Sequence, residues 1–381
     1  MTHNTCHNEK ITYICKTQHL YDMNTTTLYT IGLMSGTSLD GLDIAYCRFE
    51  YSDKWNFELL ASHTYPYPSE WKEKLSRLEQ KSAWEYAQAN VDLGHYFGQK
   101  VNEFKLQYGV KQLDFIASHG HTIFHRPDIG ITTQIGDIDS IAAETGHLVV
   151  GNFRTFDVAL GGQGAPLVPI GDELLFADYD GCLNLGGFSN ISFSKSGKRL
   201  AFDISPCNMI LNLLANRMGM DYDRDGLVAK SGTLIKELFE KLNSLEYYSR
   251  KAPKSLGKEW LVENLLPIIP THSPTSDLLR TATEHIGYQI ASVINSHQLQ
   301  SIMITGGGAL NTFLIECISC RCPHTKVVIP YKDVINYKEA IIFAFLGVLR
   351  ISGINNCLSS VTGAKADTCG GNISGMVKKK Y

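Results

Sequence analysis

The pattern that most restricts the fold occurs twice. Gly32 to Ala45 reads GLMSGTSLDGLDIA, an apolar run, a turn of Gly, Ser and Thr, and a second apolar run. Asn184 to Ser192 reads NLGGFSNIS and has the same character. Apolar runs on either side of such a turn predict paired strands. Each pair is followed by another strand-like run, KWNFELLASHTYPY in the first half and RLAFDIS in the second, and then by helical periodicity. Two successive β-β-β-α units predict a duplicated α/β fold. At 381 residues the chain exceeds what one core usually organises, so two domains are expected.

The remaining elements follow the same grammar. EWKEKLSRLEQ and the stretch from Ser82 to Tyr108 have helical periodicity. LDFIASHG reads as a buried strand ending in a polar loop, and HLVVGNF as a short strand. CNMILNLLANRMG predicts a helix, and a long helical region follows to about Ser296. LQSIMI and TKVVIP are strands, and NYKEAIIFAFLGVLRISG is a helix. No low-complexity linker separates the halves. Residues from Gly370 to Tyr381 read as loosely ordered. Residues 1–22 contain no continuous apolar run and no small-residue cleavage site, so a disordered extension, or a start at Met23, fits better than a secretory signal.

Composition narrows the class. Apolar content of 44% with 19% charged residues is that of a soluble globular protein. A net charge of −3 gives no basic field for nucleic acid or an anionic membrane, and no apolar run is long enough to span a bilayer. Ten cysteines at irregular spacing read as free thiols in a reducing cytosol. Cys317, Cys320, Cys322 and His324 are zinc-competent types, but no second CxxC accompanies them, and the end of a helix facing the core explains them better.

Several segments carry candidate chemistry. In SGTSLDGLD, small residues let backbone N–H groups and hydroxyls face a phosphate. An ordinary hairpin turn is the competing reading. There is no G-x-x-x-x-G-K-[ST] loop, and Ser38 has Asp40, not glycine, two positions on, so it is no nucleophile elbow. Two such turns facing each other would hold a polyphosphate from both sides. TGGGALN, Thr305 to Asn311, follows a strand and opens a helix, where glycines admit a nucleotide or simply make a tight turn. Asp203 ends an apolar strand and is a candidate general base. Ser205 and Pro206 fit the cap and first turn of the next helix, which would leave Asp203 free for chemistry. His119, His121 and His125 read as polar cleft lining rather than a metal site. Arg154 is a candidate carboxylate clamp, with a surface ion pair as the competing reading.

Taken in order, GLMSGTSLDGLD, TTQIGD, GGQGAPLVP, APKSLGKEW, TGGGALN, KEAIIFAFLG and SSVTGA resemble the anhydro-N-acetylmuramic acid kinase family, over nearly the whole chain. That family belongs to the superfamily of acetate and sugar kinases, heat-shock chaperones and actin. The resemblance implies an α/β fold of two domains with ribonuclease-H-like mixed sheets flanked by helices and an active site in the interdomain cleft. It implies a first domain over residues 23–156, completed by about 355–381, and a second over 157–354. Gly36, Thr37, Ser38, Leu39, Asp40, Gly41, Leu42 and Asp43 would form the ATP phosphate loop. Gly186 and Gly187 would be its counterpart, and Gly306, Gly307, Gly308 and Asn311 the adenosine-side turn. Asp203 corresponds to the catalytic base and Glu339 to a sugar-contacting acid, with Arg154, His119 and Thr122 also placed at the substrate.

The implied activity uses ATP and Mg2+ on a small anhydro amino sugar, in the cytoplasm, with no nucleic-acid or membrane partner; assembly as a homodimer is left open. Two alternatives remain: a kinase of the same superfamily for another small sugar or carboxylate, and a non-catalytic ATP-binding sensor. The sequence departs from the family pattern at FDISPCN, where F-D-T-G-P-G-N is closer to usual, at His121 in place of glutamine, and at Asn152 in place of aspartate.

Overall fold

The computed structural model describes residues 27–375. The expected extension over residues 1–22 lies outside them, as do residues 376–381. Two sheets organise the chain. In the first, β1 (Thr27–Ser35), β2 (Gly41–Tyr51) and β3 (Trp55–Pro66) form an antiparallel meander. β4 (Phe115–Arg126) returns parallel to β1, β5 (Ile131–Ile135) folds back on β4, and β6 (Leu148–Gly151) lies parallel to β4. The second sheet repeats the plan. β7 (Gly181–Leu185), β8 (Phe188–Lys195) and β9 (Lys198–Pro206) form the meander, β10 (Ser301–Thr305) lies parallel to β7, and β11 (Lys326–Val328) lies parallel to β10. In both sheets the meander runs third, second, first, and two parallel strands continue beyond the first. This is the duplication that the two β-β-β-α patterns predict, with the ribonuclease-H-like mixed sheets that the family resemblance implies.

Two expectations need correction. LDFIASHG does not end in a polar loop, because the strand continues to Arg126. β5 supplies hydrogen-bond partners for its far half, so His121 and His125 sit on paired strand. The carboxyl-terminal segment is not loose up to residue 375. β12 (Asn372–Ser374) pairs antiparallel with β6 and so protects an otherwise open sheet edge.

The helix Lys332–Ile351 lies across β1, β2 and β4 and is buried along most of its length. Its AIIFAFLGVL run fills a core shared with Phe49, Trp55, Phe115 and Val150. The approach is close enough that glycine is required below it. A Cβ on Gly32 would stand 1.9 Å from the Ala340 carbonyl oxygen. A separate core forms on the second sheet around the helix Thr275–Ser296.

One buried ion pair ties the long helix to the second sheet. Lys338 Nζ lies 2.7 Å from Asp172 Oδ1, and both side chains are almost wholly buried. Asp172 belongs to the helix Val168–Leu175 and also accepts a hydrogen bond from Ser192 Oγ on β8. Arg199 on β9 donates to the same Ser192 hydroxyl at 2.8 Å. Burial opposes the charge on Lys338, but Asp172 outweighs it and holds the ammonium above its ordinary pKa.

Gly32→Ala forces a methyl into the carbonyl of Ala340, which no flexible side chain can relieve. The expected cost is about 3 kcal/mol of stability, because the packed helix must shift. Urea unfolding that finds the variant as stable as the parent would refute this contact.

Candidate active site

The turn between β1 and β2 sets out the first group of candidate residues. Thr37, Ser38 and Asp40 are exposed, and the Leu39 N–H closes the turn on the Gly36 carbonyl at 3.2 Å. Leu39 takes a left-handed backbone, φ 60°. A Cβ on Gly36 would meet nothing nearer than Ser38 Oγ at 3.6 Å, so the space before it is open. Gly41 is different: its Cβ would lie 2.3 Å from the Tyr65 carbonyl oxygen, and Leu42 is fully buried. These two serve the β2–β3 packing. Asp43 is half-buried and accepts from Thr64 Oγ1 at 2.6 Å. Burial raises its pKa, Thr64 opposes this, and Asp40 adds repulsion.

The corresponding turn in the second sheet is spent differently. The carbonyls of Gly186 and Gly187 accept the first N–H groups of the helix Asn208–Asn216, from Cys207, Asn208 and Met209. That helix therefore starts without a side-chain cap. Ser205, expected to cap it, lies within β9, and its hydroxyl pairs with Ser189 Oγ at 3.1 Å. The glycine carbonyls make a serine cap unnecessary.

TGGGALN packs directly on this turn. Gly306 has φ 81°, and its Cβ would lie 2.5 Å from Asn184 Oδ1. A Cβ on Gly308 would stand 2.7 Å from Leu185 Cβ. Asn311 caps the helix Thr312–Arg321 by accepting from the Leu314 N–H at 3.0 Å. A cavity of about 430 Å³ opens here, lined by Asn208, Tyr222, Asp225, Gly307, Gly308 and Asn311. Its size is that of a small-molecule site. The Tyr222–Asp225 contribution was missed in the sequence. Its signal was the DRDG turn, where Asp225 and Gly226 both take positive φ.

A third group surrounds Arg154. His119 is buried, its Nε2 accepts from Arg154 Nε at 3.1 Å and Nη2 at 2.8 Å, and its Nδ1 donates to the Gly120 carbonyl at 2.9 Å. This fixes a neutral ring. Burial, then the charge of Arg154, hold its pKa well below the ordinary value. Arg154 Nη1 donates to the Gly164 carbonyl at 2.6 Å. Gly164 is itself fixed through its N–H to Asp157 Oδ2 at 2.7 Å, and Asp157 Oδ1 accepts from Thr362 Oγ1 at 2.7 Å and Cys357 Sγ at 3.1 Å. Asp157 thus joins GGQGAP to SSVTGA, a role the sequence did not reveal. Glu339 is open to solvent yet walled by protein. Burial raises its pKa, Arg154 lowers it, and Asp43 raises it again. Arg154, Glu339 and Asp43 therefore share one electrostatic neighbourhood.

Thr122 accepts from Gln134 Nε2 at 3.4 Å, on the strand that carries His119. His121 Nδ1 bonds Ser35 Oγ at 2.8 Å, and Ser35 bonds Tyr67 OH at 2.6 Å. His125 turns to Thr132 Oγ1 at 3.1 Å. Asn152 has φ 59°, a backbone that asparagine tolerates better than most residues. Cys317 and Cys322 are buried thiols pushed up to about 12 and about 11, and no group of metal-ligating residues occurs among the described residues. No described helix is long and apolar enough to cross a membrane.

Asp203 stands on β9, where the register shifts. Ser205 pairs with Ser189 and Asp203 with Asn190, so Ile204 is the extra residue of a bulge. Leu256 N donates to Asp203 Oδ2 at 2.8 Å, and the Asp203 backbone bonds Lys254 O and Tyr247 OH. Burial raises the carboxyl's pKa, and the Leu256 N–H works against that. No hydrogen bond or ion pair joins Asp203 to Arg154 or Glu339 among the described residues. The short helix Ser359–Thr362, tied to Asp157, packs against β9 and bridges the two groups.

Sequence comparison shows the family of the chain. Residues 28–375 match the family described as "Anhydro-N-acetylmuramic acid kinase". The chain belongs to the anhydro-N-acetylmuramic acid kinase family. It is 34% identical to the anhydro-N-acetylmuramic acid kinase of Francisella tularensis subsp. novicida, over 91% of this chain and 98% of the relative. It is 32% identical to that of Bacillus cereus (strain 03BB102), over 91% and 99%. A more distant likeness is to the activator of 2-hydroxyisocaproyl-CoA dehydratase from Clostridium difficile, with TM-score 0.41, 11% identity, and 86% and 96% coverage.

The neutral imidazoles of this family member predict a pH effect on stability. Burial holds His121 down to about 4 from 6.5. The unfolded chain binds that proton below about 6.5 and the folded chain does not, so stability falls as pH drops from about 6.5 towards about 4. Between pH 7 and pH 5 this one group accounts for about 2 kcal/mol. His121→Asn keeps a polar group beside Ser35 and cannot titrate. Denaturation at both pH values should show a correspondingly shallower loss, and an unchanged slope would count against a neutral His121.

Proposed function

We propose that the protein is a cytoplasmic kinase that uses ATP and water to open 1,6-anhydro-N-acetylmuramic acid and phosphorylate it, giving N-acetylmuramic acid 6-phosphate for cell-wall recycling. The observation that carries this reading is family membership over nearly the whole chain, combined with a half-buried Asp203 on a bulge and one carboxylate oxygen tied.

Asp203 takes a proton from a water molecule, whose oxygen attacks the anomeric carbon. The bond from that carbon to the bridging oxygen breaks, and the freed 6-oxygen attacks the γ-phosphorus while ADP leaves. Glu339 and Arg154 hold the sugar, with Arg154 suited to its lactyl carboxylate. His119 keeps the guanidinium in place, and Thr122 lies beside it on the same strand. The turn Gly36–Asp43 receives the phosphates from one side and Gly186–Gly187 from the other. The cavity at Gly306–Gly308 and Asn311 takes the adenosine. Asp43 is the carboxylate suited to Mg2+, since burial and Asp40 already strain its charge. Such an ion, held by one carboxylate and the phosphates, would spread the phosphoryl charge.

Asp203→Asn keeps the shape and removes the proton acceptor. ATP and sugar should still bind, while turnover drops by roughly two or more powers of ten. Run in oxygen-18 water and reduced at once, the parent reaction should place one heavy oxygen on the anomeric carbon and none on phosphorus. Label on phosphorus would mean that water attacks ATP, and the proposed role of Asp203 would be wrong.

Gly36→Val has room in the fold, because only Ser38 Oγ stands near the new Cβ. The side chain would fill the space where phosphate must approach. Nucleotide titration should show lost ATP affinity with an unchanged circular dichroism spectrum. Normal affinity would reduce SGTSLDG to a turn.

A further inference from the structure

The segment Ala252–Trp260, APKSLGKEW, wraps the backbone and carboxylate of Asp203 together. Lys254 O accepts from the Asp203 N–H at 3.2 Å, and Leu256 N donates to Oδ2 at 2.8 Å. Tyr247 OH closes the third side on the Asp203 carbonyl at 2.7 Å. The segment is itself fastened. Lys254 Nζ donates to Tyr247 O at 3.2 Å and sits 4.5 Å over the Tyr247 ring, which packs against Trp260. Asp203 Oδ1 has no hydrogen-bond partner among the described residues. The two oxygens of one carboxylate are thus made unequal by a chain segment about fifty residues downstream in sequence.

We infer that the Leu256 amide is a positioning group for the base, tying Oδ2 so that Oδ1 alone faces the water, and that it sets the pH at which Asp203 becomes competent. This rests on the reading of Asp203 as the base. The physical argument is simple. A carboxylate free to rotate about its terminal torsion presents either oxygen in many directions, whereas one fixed by a backbone N–H presents one lone-pair direction. An N–H aimed at a carboxylate also favours its charged form. Burial pulls the opposite way, so the amide offsets part of what burial does to this half-buried carboxyl. The donor is backbone, so no side-chain substitution at position 256 other than proline removes it.

Leu256→Pro deletes the donor. A second variant replaces Leu256 by its α-hydroxy acid, exchanging the amide for an ester and deleting the N–H alone; it decides the matter if the proline variant does not fold. Tyr247→Phe removes a hydrogen bond to the Asp203 backbone carbonyl but leaves the carboxylate's bond in place, and serves as the structural control. With the full chain, ATP and the anhydro sugar, kcat/KM is measured against pH. The acid limb should move to higher pH by about one unit in both Leu256 variants and stay put in Tyr247→Phe. kcat should fall while the KM for ATP holds. An unmoved limb in the ester variant overturns the inference, and so does an equal movement in Tyr247→Phe, which would mean general loosening. Near-normal turnover in Asp203→Asn is the separate outcome that removes the base itself.

Discussion

The buried pair Lys338–Asp172 is the constraint on which the rest of the arrangement depends. It brings a helix that packs on one sheet into contact with strands of the other, through Ser192 and Arg199. Two cations and one anion meet there, so the junction carries an excess positive charge in a poorly solvated place. Such a pair adds little net stability over apolar packing, yet removal of one partner strands a charge and costs about 3–5 kcal/mol. Its value here is geometric. Successive helical residues point about 100° apart. Lys338 turns to the second sheet, Glu339 to the open cleft, and Ala340 presses its carbonyl against Gly32. Three consecutive residues thus fix the helix from two sides and leave the acid between them exposed.

Asp157 does comparable work around Arg154. One fully buried carboxylate receives a loop amide, a threonine hydroxyl and a thiol from segments about two hundred residues apart. Each neutral donor offsets part of the cost of burying the charge. Through Gly164 the bond is passed to Arg154 and from there to His119. The guanidinium is directed by acceptors that carry no charge, the Gly164 carbonyl and a neutral imidazole. It keeps its own charge available to Glu339 and to whatever anion enters.

The architecture was legible because it is local. Both glycine hairpins, the meanders that follow them and the long apolar helix are written in consecutive residues, so periodicity and turn chemistry find them. What escaped was non-local. β4 looked finished at Gly120 because β5, its partner, lies beyond an intervening turn. Ser205 looked like a cap because the carbonyls that do the capping come from a turn about twenty residues upstream. Asp203 was singled out because its apolar run was read as ending there, whereas β9 continues to Pro206 and a bulge follows Asp203. The amide that restrains it could not be singled out, since a backbone N–H has no sequence signature. APKSLGKEW was noticed only through family resemblance, and its contact with Asp203 gives that resemblance a physical content. Asp157 was invisible for the same reason: an aspartate in the short helix Thr155–Ala159 acquires its role only when Thr362 and Cys357 arrive.

The electrostatics of the cleft bear on how phosphate could be accommodated. Burial pushes Asp43 and Glu339, which share one electrostatic neighbourhood, towards the neutral form, and separately does the same to Asp203. His119 and His121 are neutral, and Arg154, held by His119 and the Gly164 carbonyl, directs its charge at Glu339. The first glycine turn has carboxylates at Asp40 and Asp43 and no lysine or arginine between Gly36 and Asp43. A polyphosphate entering here meets N–H groups, hydroxyls and negative charge. Backbone dipoles alone do not balance several phosphate charges, so a divalent cation arriving with the nucleotide is a physical requirement of this reading. On the proposed reading such an ion would turn Asp43 from a source of repulsion into a ligand, and nucleotide binding should weaken far more steeply on chelation than on added salt.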